Sequence, residues 1–181
     1  MFTIFPKRWF GQDLDAVCAW VAGLGFDGID LAVRGPAWVQ AAEATQAAPA
    51  FVARARAAGL AVPLAIVDEG PEALLRDDRL LAVLAAAGVP TVRIGYLRVD
   101  GDPAAALDRA RAQAVALAEL GRRRGIRLVH QVHQGTLVSS PTAAWCVVRD
   151  ADPRWCAVQL DAGNQIHEGF EAWAKAVALL G

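Results

Sequence analysis

Short apolar runs alternate along this chain with longer stretches of helical periodicity. Phe2 to Phe5 is an apolar run stopped by Pro6, and it reads as a first strand. Behind Asp13, a capping residue, Leu14, Val17, Cys18, Val21 and Leu24 recur at helical spacing, and Gly25 supplies the stop. Gly28 to Val33 is a second strand. A polar connection holding Trp38 follows, and Pro49 opens a helix through Phe51, Val52 and Ala55 to Gly59. Ala61 to Val67 is continuously apolar, the pattern of a strand buried on both faces. Pro71 starts a third helix that stops near Gly88, and Thr91 to Ile94 is the fourth strand. A fourth helix begins at Asp102-Pro103, places Leu107, Ala110, Ala114 and Leu117 on one face and ends at Arg122-Arg123-Arg124. The fifth strand contains Leu128 to Val132, and Ser140-Pro141 starts the helix after it. Trp155 to Leu160 forms a sixth strand, and a last helix carries Phe170, Trp173 and Val177 in register.

Six strand-helix units in succession, at intervals of roughly 25 to 35 residues, imply parallel βα units in an α/β fold. An open doubly wound sheet should carry a Gly-rich turn after an early strand; here Gly23-Leu24-Gly25 precedes the second strand instead. Polar residues stand at the carboxyl end of nearly every strand (Lys7, Arg34, Asp68, Tyr96, His133, Asp161), as a barrel with a site built from many loops requires. The expectation is a (β/α) barrel with six of eight units present, forming a single domain over residues 1–181 without an internal linker.

Composition narrows the function classes. An apolar content of 55% with 20% charged residues fits one well-filled core in 181 residues. The 18 basic and 19 acidic residues are spread along the chain, so there is no broad electrostatic footprint for nucleic acid. Arg122 to Arg124 precede Gly125, where they complement the negative end of a helix dipole. No apolar run approaches the ~20 residues that cross a bilayer, and the first residues lack a signal-peptide pattern, so a cytoplasmic location is expected. Cys18, Cys146 and Cys156 form no C-x-x-C and read as small apolar residues.

The candidate chemistry lies between Leu128 and Gly169, where all three histidines fall. Two apolar strands there run directly into polar residues. By period-2 alternation Gln131 and His133 share one face of the fifth strand, while His130 points the other way. His133 is a candidate for a substrate oxygen, and Asp161 stands at the mouth after the sixth strand. His167 reads as a surface residue. Arg34, Arg93 and Tyr96 could meet an anionic sugar, and Trp38 could face the apolar side of one.

Gly25-Phe26-Asp27-Gly28-Ile29-Asp30-Leu31, Ala58-Gly59-Leu60, Gly125-Ile126-Arg127-Leu128 and Leu160-Asp161-Ala162-Gly163-Asn164 stand in order along the chain. In that order and spacing the chain resembles the xylose isomerase-like TIM-barrel superfamily, the sugar phosphate isomerases and epimerases. The resemblance implies carbohydrate metabolism and an enediol shuttle, in which a divalent metal (Mn, Mg, Co or Zn) polarises the carbonyl and a carboxylate moves a proton. It implies Asp161 as a metal ligand, Gln131 and His133 at the catalytic positions, and Arg34, Trp38, Tyr96 and Asn164 as substrate-binding residues. Gln131 stands where the family has a Glu, and Asn164 where it has a His or Asn. A glutamine amide has no charge to hold a cation and no basicity near neutral pH. Weak or absent metal binding and impaired turnover are therefore expected. The partner is a small sugar or sugar acid, and the alternatives are a non-catalytic binding or assembly module and, less favoured, an abasic-site endonuclease. The seventh and eighth strands are not found before Gly181. Open strand edges would then favour self-association.

Overall fold

A computed structural model of the chain describes residues 1–99 and 101–168. It consists of two compact units, one of residues 1–68 and 77–92, the other of residues 69–76 and 93 onward. The expected last helix with Phe170, Trp173 and Val177 lies outside the described residues.

In the first unit β1 (Thr3–Ile4) pairs in parallel with β2 (Gly28–Ile29), and β3 (Leu31–Val33) pairs in parallel with β4 (Leu64–Val67). The run Gly28 to Val33, expected as one strand, is thus broken at Asp30, whose N–H donates to Ile4 O at 3.0 Å. One strand serves two neighbours in turn. A Cβ on Gly28 would come within 2.6 Å of Ala61 O, so only glycine permits the approach of these two backbones. Pro63 delays β4, which starts at Leu64 rather than Ala61.

α1 (Leu14–Gly23) is capped by Asp13, whose side chain accepts from Ala16 N–H at 2.9 Å, and it buries Leu14, Val17, Cys18 and Val21. α2 (Ala44–Ala57) begins more than a turn before Pro49, contrary to the expectation that Pro49 opens it. Ala44 and Ala48 are buried together with Phe51, Val52 and Ala55. Packing of that face extends the helix backward through a proline that propensity alone would place at its start. The third helix is also corrected: α3 (Pro71–Arg76) and α4 (Arg79–Ala86) are separate. Between them Asp77 takes both the backbone N–H and the guanidinium of Arg79, a local bond that competes with helix continuation.

The division between the units falls inside β5 (Thr91–Arg93). In the second unit Ile94 N–H donates to Val129 O at 3.1 Å, and β6 (Arg127–Gln131) pairs in parallel with β7 (Cys156–Gln159) in the register Gln131 to Gln159. α5 (Pro103–Arg124) runs from its Asp102 cap to Gly125 at φ 66, and its last arginines pair with Glu119 as helix-end cations should. A Cβ on Gly121 would come within 2.6 Å of Ile126 O and 3.0 Å of Trp155 O, so glycine lets α5 approach these backbones. α6 (Pro141–Val148) and α7 (Ala162–Glu168) follow their strands. Fully buried Leu117, Leu120, Ile126 and Leu128 form the core here, each worth about 1.5–3 kcal/mol of burial. The fold is of the (β/α) barrel type, with six strand-helix units among the described residues. No helix among them is long and apolar enough to cross a membrane.

Candidate functional site

β6 and β7 end side by side, so their last side chains on one face meet. Gln131 and Gln159 are register partners, and Asp161 lies two residues past Gln159 on the same face. Asp161 is also the residue from which α7 starts, so the turn that ends the strand brings Asn164 back to it.

The result is a continuous chain of hydrogen bonds. Tyr96 Oη donates to Gln131 Oε1 at 3.1 Å, and Gln131 Nε2 donates to Asp161 Oδ2 at 2.5 Å. Asp161 Oδ2 also accepts from Asn164 Nδ2 at 2.7 Å, and Asp161 Oδ1 accepts from Asn164 N–H at 3.0 Å. Asn164 Oδ1 in turn accepts from Gln134 N–H at 3.3 Å. A carboxylate only accepts, so the Gln131 amide must turn its NH₂ toward Asp161 and leave its oxygen for the tyrosine. Burial raises the Asp161 carboxyl, but the donations from Asn164, Gln131 and Gly163 together outweigh it and hold the carboxyl below its ordinary value.

His133 stands outside β6, which stops at Gln131, so strand alternation does not place it. Its N–H donates to Val138 O at 2.9 Å, its carbonyl accepts from Thr136 Oγ1, and Gly135 at φ 68 makes the turn. The imidazole lies against Tyr96 with ring centroids 4.3 Å apart. Its Nδ1 is 2.8 Å from Gln134 O, an acceptor, so Nδ1–H is the donor in that contact. Buried Arg93 stacks over the same tyrosine at 4.7 Å and donates to Ile94 O at 3.0 Å. The Tyr96 ring is therefore fixed from two sides.

His130 points to the other face, is 3% exposed, and burial pushes its imidazole down to about 4. It is neutral and remote from the polar cluster. Arg34 and Trp38 belong to the first unit and have partners there. Arg34 Nη2 is 2.7 Å from Asp68 Oδ1, while the Trp38 indole donates to Gln12 O at 2.7 Å and packs on Phe10 and Phe51. His167 is exposed.

Two residues escaped the sequence reading. Gln159 Oε1 is buried and accepts no hydrogen bond among the described residues, beside Gln131 in register. Counting back two from Asp161 would have found it. Glu69 Oε2, at the end of β4, is likewise buried without a partner there.

The donor set does not fit a hard dication. Asp161 is the one carboxylate of the cluster, both its oxygens already receive hydrogen bonds, and Gln131 presents an N–H₂ where a ligand needs an oxygen. Among the described residues no three His, Cys, Asp or Glu side chains are grouped to hold a metal.

A family model described as xylose isomerase-like TIM barrel matches residues 18–180. Comparison with curated proteins finds no match by sequence. Among solved structures, a D-psicose 3-epimerase determined in the presence of D-fructose is 18% identical, with a TM-score of 0.77 over 99% of this chain and 69% of that one. A D-allulose 3-epimerase from Methylomonas sp. in complex with D-allulose is 17% identical, with a TM-score of 0.71 over 99% and 68%. A xylose isomerase-like TIM barrel protein from Mycobacterium smegmatis in complex with magnesium is 20% identical, with a TM-score of 0.62 over 95% and 65%. The chain spans about two thirds of the length of these structures.

Proposed function

The chain belongs to the xylose isomerase-like TIM-barrel family, and on that premise we propose that it is a sugar isomerase/epimerase-like protein whose β6–β7 cluster binds a small sugar or sugar acid without metal-assisted turnover of its own. The observation that carries this reading is the Gln131 amide, bonded at one end to Tyr96 and at the other to Asp161. A carboxylate there could hold a cation or take a carbon-bound proton; an amide does neither near neutral pH. What the cluster does offer is a set of alternating donors and acceptors. Gln131, Asp161 and Asn164 together match vicinal hydroxyls, each of which both donates and accepts. The sugars named with the structurally similar epimerases support the ligand class, and the stacked Tyr96 and His133 rings supply an apolar wall for the C–H face of such a ligand.

Two measurements test this. Saturation-transfer NMR with a panel of ketoses and sugar acids should show binding that is independent of added Mn and lost in Gln131→Ala. Exchange of the sugar's carbon-bound hydrogen in deuterated water should stay at the uncatalysed rate with or without metal. Metal-dependent exchange by the unmodified chain would falsify the non-catalytic half of the reading, and the absence of any sugar binding would sink the other half.

A further inference from the structure

A cavity in the second unit adjoins the hydrogen-bonded cluster only through Tyr96. It has a volume of about 360 Å³, at the small end of small-molecule sites. α5 forms one wall with Ala106, Ala110 and Gln113, spaced as one helix face, and the two alanines leave the hollow. α3, which packs on α5, forms the other wall. The segment Tyr96 to Arg98 closes one end and is tied down: Gly95 N–H donates to Glu69 O at 2.8 Å, and Leu137 N–H donates to Leu97 O at 2.9 Å. The chain is therefore held at two points just before Arg98.

The charge of this lining is one-sided. Arg76, Arg98 and Arg109 border the cavity, against the single carboxylate of Glu72. Glu72 is taken by Arg76 at 2.9 Å. Several arginines elsewhere have a carboxylate beside them, as with Arg54 and Asp15, Arg122 and Glu119, or Arg154 and Asp152, and Arg56 and Arg127 donate to backbone carbonyls instead. Among the described residues Arg98 and Arg109 have no such partner. Two guanidinium groups without a carboxylate partner among the described residues thus line one hollow in a chain whose formal charge is only -1.

We infer that this cavity is a binding site for a small anionic molecule, held through a phosphate or carboxylate group by Arg98 and Arg109. Guanidinium forks pair with both groups in a bidentate, charge-assisted way, and the small volume suits a metabolite rather than a polymer. Gln113 offers an amide to the remainder of the ligand. The inference goes beyond the sugar-binding reading and does not depend on it, since Tyr96 is the only residue common to the two places. It also supplies the probe, because Tyr96 is the single tyrosine of the chain.

The test is ¹⁹F NMR of the full chain labelled with 3-fluorotyrosine, titrated with inorganic phosphate at constant ionic strength. A matched titration with malonate separates phosphate from carboxylate preference, and sodium chloride measures screening alone. The expected result is a saturable shift with phosphate, malonate or both that chloride does not produce. It should weaken at least about tenfold in Arg98→Ala and in Arg109→Ala, as loss of a charge-assisted bond predicts. Arg79→Ala removes one exposed arginine that Asp77 already holds and should leave the affinity unchanged. Ala110→Leu fills the hollow without changing charge and should also abolish the shift. A shift equal in chloride, or one that survives both arginine substitutions, overturns the site. Failure of every sugar to bind while phosphate binding persists overturns only the carbohydrate reading.

Discussion

Asp30 and Asp161 both stand just off the ends of strands of the same fold, yet their surroundings drive them in opposite directions. Asp30, in the first unit, interrupts a strand, is 7% exposed, and has Oδ1 buried without a partner. Burial pushes its carboxyl up to about 6, against which a bond from Thr3 is too little. Asp161, in the second unit, feels burial too, but the donors of Asn164, Gln131 and Gly163 surround it and the net direction is down. Depth and the number of donors aimed at a carboxylate together set the direction of its shift: Asp30 is the deeper and has few, Asp161 is the shallower and has several. A carboxylate left without donors takes up a proton more readily, whereas one that accepts several hydrogen bonds keeps its charge.

The largest expected effect tests the Asp30 half of this contrast. A folded-state value of about 6 against an ordinary 3.8 corresponds to about 3 kcal/mol. The folded protein binds this proton more tightly than the unfolded chain. The contribution is therefore fully present below the ordinary value and is lost as the pH rises through about 6. Urea denaturation from pH 4.5 to 8 should show the parent losing stability relative to Asp30→Asn, which keeps the volume and does not titrate. Parallel curves for the two proteins would mean that Asp30 is solvated or paired.

Asp161→Ala is the next in size. It removes the acceptor at the start of α7 and strands the Gln131 and Asn164 donors, at a cost of about 2 kcal/mol in the same denaturation assay. Its pH dependence has the opposite sign to that of Asp30. With the folded value lowered, the contribution is present above the ordinary 3.8 and is lost as the pH falls below it. A variant as stable as the parent at pH 7 would show that these hydrogen bonds do not persist in solution.

The smallest change in stability, but the sharpest for the comparison, is Gln131→Glu. A second carboxylate beside Asp161 should cost about 1 kcal/mol at neutral pH from like-charge repulsion. It should also tighten Mn binding by at least about tenfold, measured by calorimetry, because two carboxylates make the hard-oxygen pair that one cannot. If metal affinity does not move, the amide is not what keeps the cation out.

The order of strands and helices was legible because each unit is punctuated locally. Asp13, Asp102 and Ser140 cap their helices, and Gly125 ends one, just as their sequence contexts indicate. Asp161, Gln131 and Asn164 could be singled out because they follow apolar strands or stand in the Leu160 to Asn164 motif. Their bonding pattern could not be read, since the Gln131 to Asp161 bond spans thirty residues and exists only because β6 and β7 are neighbours. His133 was placed by strand alternation, but β6 had already ended. Pro49 misled for a related reason: the buried face through Ala44 and Ala48 outweighed a local signal.

What the sequence by itself determined is the succession of six βα units, the family resemblance and an amide rather than a carboxylate at Gln131. Those are matters of periodicity, punctuation and residue identity, each set within a few neighbouring positions. Only the tertiary structure decided which way the Gln131 amide faces, that Asp161 is saturated while Asp30 is starved of donors, and that Arg98 and Arg109 border one cavity. The physical reason is that hydrogen-bond satisfaction and electrostatic compensation are properties of groups brought together across the chain, and no local pattern encodes the partner that a side chain will finally meet.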